Sequence, residues 1–335
     1  MRIIFMGTPD FSVPTLESLI ASRHEVIAVV TQPDKPKGRG KEIAMTPVKE
    51  TALAAGIPVY QPVRARDEAF VEEMRALQPD VMVVIAFGQI LSKELLEVPK
   101  FGCVNIHASL LPQYRGAAPI QWAVINGDKE TGITTMMMDV GMDTGDMLEK
   151  LIIPLDEKET GGSLFDRLSL LGGDLILSTL DKIEDGTMVR TPQDHEKATY
   201  VKKIPKSLGD IDWTKSAAEI ERLIRGLNPW PSAYTYWNGK MLKLWEAEVL
   251  ADGEVGGEVE GVAAGTAAAT GAADNSAADA CGKVLEAAGD SLKIQTGSGI
   301  LKITSLQLEG KKRMDTAAFL RGYPVETGCR MERSE

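Results

Sequence analysis

Short, wholly apolar runs separated by helical patterns constrain most strongly how the first half of this chain can fold. The runs lie at 3–6, 26–30 and 81–86, and helical patterns of apolar residues lie at 13–20, 48–55 and 67–77. A strand that is apolar at every residue must be covered on both faces, and its alternation with helices is typical of a parallel sheet. The pattern therefore predicts an α/β fold with a Rossmann-like parallel sheet, in which ligands bind beyond the carboxyl ends of the strands.

A different pattern follows a polar, lysine-rich segment at 187–209. Short alternating stretches with turn signals between them lie at 233–237, 241–249, 283–287, 291–295 and 300–306. Several short strands without intervening helices are typical of a small antiparallel barrel. We therefore expect a first domain at 1–186, a linker at 187–209 and a barrel domain at 210–325.

The segment at about 251–282 interrupts this second domain. It consists mainly of alanine and glycine with some acidic residues and almost no large apolar side chains. Such a segment cannot bury enough surface to offset the entropy of ordering it. An alanine-rich helix is an alternative, although each glycine within it would cost about 1 kcal/mol. We predict a loose, low-complexity hairpin inserted between two strands of the barrel.

Composition excludes several classes of protein. A net charge of −11 over 335 residues argues against a surface coated with basic residues, but it allows a local basic patch. The three cysteines lack metal-ligand spacing, so we predict neither a disulfide framework nor a metal site, and a reducing compartment is indicated. No stretch is apolar for long enough to span a bilayer. We expect a cytoplasmic monomer that binds no metal and no membrane.

A polar pair ends the apolar stretch at 102–107. Alternate residues of a strand share a face, so Asn105 and His107 should point the same way while Val104 and Ile106 face the core. An amide can donate a hydrogen bond to a carbonyl oxygen, and an imidazole can do the same or carry a proton near neutral pH. Alternatively, Asn105 only caps a turn and His107 is a buried, hydrogen-bonded ring.

The acidic turn at 139–146, which is rich in glycine, favours the first interpretation. It could bring Asp143 next to His107. A carboxylate there would orient the imidazole and favour its charged form. Asn105, His107 and Asp143 are therefore candidate catalytic residues.

Three motifs together resemble the formyltransferase family that uses 10-formyltetrahydrofolate. They are Asn105-Ile106-His107, the loop 109–112 followed by Tyr114-Arg115-Gly116, and Asp143-Thr144-Gly145. The similarity extends from the motif at 5–11 to the basic motif at 311–314, and only the segment at about 251–282 departs from it. The resemblance implies a catalytic first domain and an OB-like second domain.

The resemblance also implies a reaction and roles for residues. Formyl transfer is acyl transfer, which needs donors for a developing oxyanion and a proton relay. Asn105 and His107 would donate, and Asp143 would hold the water that carries the proton to the leaving nitrogen. The expected tetrahydrofolate-binding loop comprises Ser109, Leu110, Leu111 and Pro112. Its alternative interpretation is an ordinary turn.

One segment bears on the acceptor, because the same triplet serves enzymes that formylate a ribonucleotide amine, an amino sugar or an aminoacyl-tRNA. The loop at 33–41 carries four cations in an acidic protein, namely Lys35, Lys37, Arg39 and Lys41. It is similar to the loop that family members acting on methionyl-tRNA insert at the acceptor stem. The resemblance thus implies initiator methionyl-tRNA as a partner, bound through phosphate contacts. A solvated surface loop is the alternative interpretation.

Other functions stay open at this point. The main alternative is a formyltransferase acting on a nucleotide-linked amino sugar or another small amine, which should lack the loop at 33–41. A hydrolase that releases formate would keep the triplet as well. A folate- or RNA-binding module without catalysis would have no need of a carboxylate next to a histidine. His195 lies far from these motifs, and we expect it on the surface.

Overall fold

The computed structural model describes residues 1–37, 42–250 and 280–334. The chain forms two compact units. The first comprises Met1–Trp122, Asp128–Glu157 and Ser163–Lys203, and the second comprises Ala123–Gly127, Lys158–Gly162 and Ile204–Glu335. The division into domains at 1–186 and 210–325 with a linker at 187–209 stays a prediction.

The strands up to residue 203 are β1 (Arg2–Gly7), β2 (Glu25–Val30), β3 (Lys35–Lys37), β4 (Glu42–Ala44), β5 (Val59–Tyr60), β6 (Val81–Ile85), β7 (Cys103–His107), β8 (Arg115–Gly116), β9 (Glu130–Met137), β10 (Met147–Pro154) and β11 (Tyr200–Val201). The helices of the same part of the chain are α1 (Val13–Ile20), α2 (Pro47–Ala54), α3 (Glu68–Ala76), α4 (Lys93–Leu96), α5 (Pro119–Asn126) and α6 (Gly161–Glu184).

Seven of these strands form one sheet in the order β10-β9-β7-β6-β1-β2-β5. The strands from β7 to β5 pair in parallel, as predicted, and all five residues of β6 are buried. At the other edge, β9 pairs antiparallel with β7 and with β10. The β9–β10 pair is antiparallel because only residues 138–146 join the two strands, which is too short for a parallel crossover. The predicted Rossmann-like α/β fold is confirmed, with an antiparallel edge.

Two short pairings were not predicted. β3, in the basic loop at 33–41, pairs antiparallel with β4, which follows that loop, and β8 pairs in parallel with β11. Strands of two or three residues are too short to show a period, so the sequence pattern could not reveal them. The second pairing joins the motif at 114–116 to the segment at 187–209, whose residues up to Lys203 lie in the first unit.

The elements of the second unit after residue 204 are α7 (Ala217–Gly226), β12 (Ala233–Trp237), β13 (Lys240–Leu250), β14 (Val284–Ala288), β15 (Ser291–Gln295), β16 (Ile300–Leu308), β17 (Met314–Asp315) and α8 (Thr316–Gly322). The strands run in the order β12-β13-β16-β15-β14 with β17 beside β16, and every pair is antiparallel. The predicted antiparallel second domain is confirmed. Most of the low-complexity segment predicted at 251–282 lies outside the described residues.

Candidate active site

A pocket of about 470 Å³ opens in the first unit where β1, β6 and β7 end. These are carboxyl ends of parallel strands, the place where open α/β sheets bind ligands. The rings of Phe11, Phe87 and Phe165 contribute apolar walls. The polar side chains that line the pocket include Gln89, Asn105, His107, Asp143 and Lys203. The structure therefore brings the three predicted catalytic residues to one cavity.

Asn105 and His107 occupy the last three residues of β7 together with Ile106. Asn105 is half-buried, whereas His107 is only 6% exposed. The strand pairs with β6 through Asn105 and Val84 and with β9 through Asn105 and Met136, so its position is set from both sides. A side chain on such a strand is held more precisely than one on a loop.

His107 has one ring nitrogen committed to the backbone. Its Nε2 lies 2.9 Å from the carbonyl oxygen of Tyr114, and its Nδ1 lies 3.7 Å from Oδ2 of Asp143. A carbonyl oxygen can only accept a hydrogen bond, so Nε2 must carry a proton. Nδ1 is therefore the nitrogen that can gain or lose a proton beside the carboxylate.

Asp143 is held by a backbone donor. The amide of Gly116 donates to its Oδ2 at 2.8 Å, and its side chain is 19% exposed. The turn around it is organised by Asp139, whose Oδ1 accepts from the amide of Gly141 at 2.9 Å and from the hydroxyl of Thr144 at 2.6 Å. The carboxylate thus reaches His107 from a turn that is held by hydrogen bonds within it and by the amide of Gly116.

Gly116 is required by the close approach of two short strands. Its φ of +110° is unfavourable for any residue with a side chain, and a Cβ there would lie 2.3 Å from the carbonyl oxygen of Val201. In the sequence, the motif at 114–116 enters only through a resemblance. Tyr114 and Gly116 contact His107 and Asp143 through backbone groups, for which the sequence offers no signal apart from the glycine itself.

Three non-glycine residues around the pocket have positive φ. They are Ala86 at 47°, Tyr114 at 58° and Asp143 at 53°. Ala86 and Asp143 line the pocket, and Tyr114 supplies the carbonyl that binds His107. Non-glycine residues rarely adopt this conformation, and such strain clusters at functional sites.

The predicted folate loop turns several of its groups toward the protein. Ser109 is 1% exposed and donates from its hydroxyl to the carbonyl of Gln113 at 2.6 Å, and Leu111 is fully buried. The carbonyl of Leu111 accepts from Nζ of Lys150 at 2.5 Å. Leu110 and Pro112 are half-buried. The loop follows the pocket residue Ala108 directly, and its role in folate binding stays a prediction.

Two of the four predicted tRNA-binding cations lie on β3, which forms a hairpin with β4. Lys35 is exposed on that strand, Lys37 ends it, and Arg39 and Lys41 lie outside the described residues. The tRNA role of these four residues stays a prediction.

The base of this hairpin is anchored by an ion pair between Lys49 and Asp34, with Nζ to Oδ2 at 2.5 Å. The side-chain amide of Gln61 donates to the other oxygen of Asp34 at 2.7 Å. The hydrogen bond from Lys49 and then that from Gln61 hold the pKa of the Asp34 carboxyl below its usual value. Because its ammonium is bound to Asp34 and Gln61, Lys49 supports the hairpin rather than adding to its exposed charge.

Several other kinds of chemistry lack support in the described part of the chain. Burial raises the pKa of the Cys103 thiol to about 12, so it is not a thiolate nucleophile near neutral pH. No three His, Cys, Asp or Glu side chains of the described ranges converge as a metal site would require. Among the same residues, no helix has both the length and the apolar character needed to cross a membrane.

His195 is exposed, as predicted, but it is not remote from the site. Its Nδ1 lies 3.2 Å from Nη2 of Arg115, the residue between Tyr114 and Gly116. The same guanidinium binds the side chain of Gln193. Neither Arg115 nor Gln193 was predicted as a site residue. In the sequence, Arg115 follows a predicted loop and Gln193 falls in the predicted linker at 187–209.

Comparison with known proteins gives matches over both units. Residues 1–180 match the family described as formyl transferase, and residues 203–324 match the formyl transferase C-terminal domain. The chain is 56% identical over 328 residues to methionyl-tRNA formyltransferase of Agathobacter rectalis, covering 98% of each chain. It is 54% identical to the protein of that name from Lachnospira eligens, covering 98% of each chain. For that of Clostridioides difficile the identity is 48%, over 98% of this chain and 99% of the relative.

Solved structures match the fold at low identity. An N-formyltransferase from Helicobacter canadensis in complex with folinic acid and dTDP-3-aminofucose aligns with a TM-score of 0.63 at 18% identity, covering 90% of this chain and 98% of that one. HypX from Aquifex aeolicus in complex with tetrahydrofolic acid aligns with a TM-score of 0.58 at 17% identity, covering 100% of this chain and 51% of that one. At these identities the likeness concerns the fold alone.

Proposed function

The chain belongs to the formyl transferase family, and we propose that it transfers the formyl group of 10-formyltetrahydrofolate to the amino group of initiator methionyl-tRNA. The observation that carries this proposal is 56% identity over 98% of the chain to a protein named methionyl-tRNA formyltransferase. The product is N-formylmethionyl-tRNA, which is used in translation initiation. The enzyme acts in the cytoplasm, where charged tRNA is used, and whether it does so as a monomer stays a prediction.

The pocket has the properties that a formyl-folate donor requires. Its aromatic and aliphatic walls suit a planar heteroaromatic ring, and its volume of about 470 Å³ lies within the usual range for ligand sites. Asn105 and His107 lie on one strand of the pocket wall, and Asp143 lies beside His107. A formyl group delivered to these residues would meet hydrogen-bond donors and a carboxylate together. The neighbouring loop 109–112 would contribute to holding the folate.

The chemistry follows from these groups. The amine nitrogen attacks the formyl carbon, a carbon–nitrogen bond forms, and the carbonyl oxygen gathers negative charge. The amide of Asn105 and the Nδ1 proton of a protonated His107 stabilise that oxygen. The attacking amine loses a proton and the folate nitrogen gains one as its bond to carbon breaks, and Asp143 supports this relay through a water molecule. Positioning and electrostatics thus account for the reaction.

The choice of acceptor is supported by the basic hairpin. Its cations Lys35, Lys37, Arg39 and Lys41 stand out in a chain of net charge −11, where general electrostatic attraction to RNA is absent. Phosphates of the acceptor stem are suitable partners for such a local cluster. The alternative acceptor is a nucleotide-linked amino sugar. A solved structure of an N-formyltransferase in complex with such a sugar shares only 18% identity with this chain.

The test is an acceptor panel with purified protein and 10-formyltetrahydrofolate. Initiator methionyl-tRNA, uncharged initiator tRNA with free methionine, and a nucleotide-linked amino sugar are supplied separately. We expect rapid formation of tetrahydrofolate only with methionyl-tRNA, and recovery of the formyl-methionyl ester. Faster turnover with the amino sugar would overturn the proposal in favour of the small-amine alternative. Release of formate without any acceptor would indicate a hydrolase.

A further inference from the structure

Among the residues that the structure describes, Arg115 is the largest side chain that is almost completely buried, with 1% of its surface exposed. Its Nε and Nη2 donate to the amide oxygen of Gln193 at 3.0 and 2.8 Å. Its Nη1 donates to the hydroxyl of Tyr200 at 2.8 Å, and Nη2 also lies 3.2 Å from Nδ1 of His195. These partners are an amide, a phenol and an imidazole. Burying a guanidinium against such groups is costly, so the arrangement requires a specific reason.

Gln193 explains the arrangement, because every hydrogen-bonding position of its side chain is used. It is 6% exposed, and its Nε2 donates to the carbonyl oxygens of Asp143 at 2.9 Å and Gly145 at 2.7 Å. Its Oε1 accepts twice from Arg115. An amide rotated by half a turn would place its NH2 against the guanidinium, so Arg115 fixes the orientation in which Gln193 holds the turn.

The same segment also contacts the two titratable residues of the site. Tyr114, which precedes Arg115, accepts from Nε2 of His107 through its carbonyl, and Gly116, which follows it, donates to Oδ2 of Asp143. Asp143 has a φ of 53°, in the left-handed region that few non-glycine residues adopt, although Asp and Asn enter it more readily than most. Gln193 binds the backbone carbonyl of Asp143 and so supports this conformation.

We propose that Arg115 and Gln193 are positioning residues, which hold Asp143 in its left-handed conformation with its carboxylate facing Nδ1 of His107. The inference rests on the proposed function, since it assigns a task in that reaction to two residues that do not line the pocket. It also assigns the first part of the segment at 187–209, which contains Gln193, to the support of the candidate site. Loss of the pair misplaces the carboxylate without removing it.

The first test is a comparison of one substitution in two backgrounds. Gln193→Met keeps the size of the side chain and removes both donors. In the wild-type background we expect kcat for methionyl-tRNA to fall by roughly 10²-fold, the cost of a displacement of about 1 Å, with little change in KM for the folate donor. In the Asp143→Asn background we expect no further loss, because the carboxylate to be positioned is already absent. A purely structural role would lower activity equally in both backgrounds, and that result would overturn the proposal.

Two variants guard against simple misfolding. The double variant Arg115→Met/Gln193→Met removes both buried polar partners, which is better tolerated than leaving one unpaired. It should show the same loss of kcat. The matched control is Gln295→Met in the second unit, where the side-chain amide also donates to two loop carbonyls, those of Thr296 and Gly299. The control should keep the kcat of the wild type, and a loss as large as that of Gln193→Met would overturn the assignment.

An NMR measurement tests, independently of turnover, whether Gln193 holds the Asp143 carboxylate in place. The amide proton of Gly116 bonds to the Asp143 carboxylate, so its NMR resonance reports that contact. In Gln193→Met we expect this resonance to move toward its position in Asp143→Asn, while that of Gly299 stays in place. An unmoved Gly116 resonance would overturn the positioning role. If the wild type formylated no methionyl-tRNA, the proposed function would fail, yet the Gly116 resonance would still decide the inference.

Discussion

Asp143 and His107 both bind backbone groups of the segment at 114–116. Nε2 of His107 is occupied by the carbonyl of Tyr114, so only Nδ1 can exchange a proton with a substrate. Oδ2 of Asp143 accepts from Gly116 and also faces that nitrogen at 3.7 Å. This distance permits an ion pair with a protonated ring but is too long for a direct hydrogen bond.

We predict that Asp143→Asn keeps the fold and loses nearly all transfer. Asparagine tolerates positive φ, so the turn should keep its conformation at a φ of 53°. The amide cannot support an imidazolium or accept a proton, and kcat should fall by roughly 10²–10⁴-fold, the usual contribution of one acid–base group. Steady-state rates with methionyl-tRNA measure the effect, and thermal unfolding verifies the fold.

The matched control for this substitution is Asp139→Asn in the same turn. It removes the same charge, while an amide oxygen can still accept from Gly141 and Thr144. We expect activity near that of the wild type. Near-wild-type turnover of Asp143→Asn itself would contradict the role assigned to the carboxylate.

At the same scale, the polar side chains of the candidate site could be predicted from the sequence. The backbone groups that bind those side chains could not. Asn105 and His107 follow from the period of a strand, and Asp143 from a glycine-rich acidic turn. The carbonyl of Tyr114 and the amide of Gly116 have no signature of their own, since every residue carries such groups. Gln193 lies in a polar stretch where only the tertiary structure distinguishes a buried amide from an exposed one.

At the scale of elements, the short parallel pair β8–β11 determines the shape of the site. It brings the segment at 199–201 alongside 115–117, with backbone bonds from Arg115 to Thr199 at 2.8 Å and from Ala117 to Val201 at 3.0 Å. The long strands of the sheet could be predicted because a wholly apolar run has few alternatives. These two-residue strands could not, because their stability comes from contacts far apart in sequence.

We predict that Gly116→Ala separates β8 from β11. A methyl group there would meet the carbonyl of Val201 at 2.3 Å, on top of a φ of +110°. The strain should lower the free energy of unfolding by about 1–3 kcal/mol and displace the amide that holds Asp143. The midpoint temperature of thermal unfolding and kcat should therefore both fall. Gly186→Ala is the matched control, because its φ is +71° with no atom within 4 Å of the added Cβ. Equal activity of the two variants would contradict the importance of the pairing.

The hairpin β3–β4 is the element expected to bind nucleic acid. We predict that replacing Arg39 and Lys41 together with alanine weakens tRNA binding and leaves folate binding unchanged. If each residue neutralises one phosphate, the slope of log affinity against log salt should shrink by roughly 0.9 per contact on the duplex acceptor stem. Filter binding over a salt series measures this slope.

The control for the hairpin is the pair Arg75→Ala and Lys93→Ala. The exposed Arg75 forms an ion pair with Glu72 within α3, and the exposed Lys93 forms one with Glu97, the residue that follows α4. Their loss changes the net charge by the same amount at a different place. We expect an unchanged salt slope. An unchanged slope in the Arg39 and Lys41 variant as well would remove the hairpin from the binding surface.

At the scale of the whole molecule, the chain divides into two compact units. The candidate catalytic residues all lie in the first unit, and the second unit has its own apolar core around its antiparallel sheet. The fold class of both could be predicted, because periods of apolar residues determine what each segment can bury. The sequence gives weaker signals for the boundaries between the two units. The segment at 187–209 has no sustained period, so its packing into the first unit up to Lys203 could not be read from the sequence.

The most direct test of the central claim is the state of initiator tRNA in a bacterium that lacks its own formylating enzyme. The protein is expressed there, and methionyl and formyl-methionyl forms of the tRNA are separated on an acidic gel. We predict that the initiator tRNA becomes formylated with the wild-type chain and stays unformylated with Asp143→Asn at equal expression. Initiator tRNA that stays unformylated in the presence of folded wild-type protein would contradict the account.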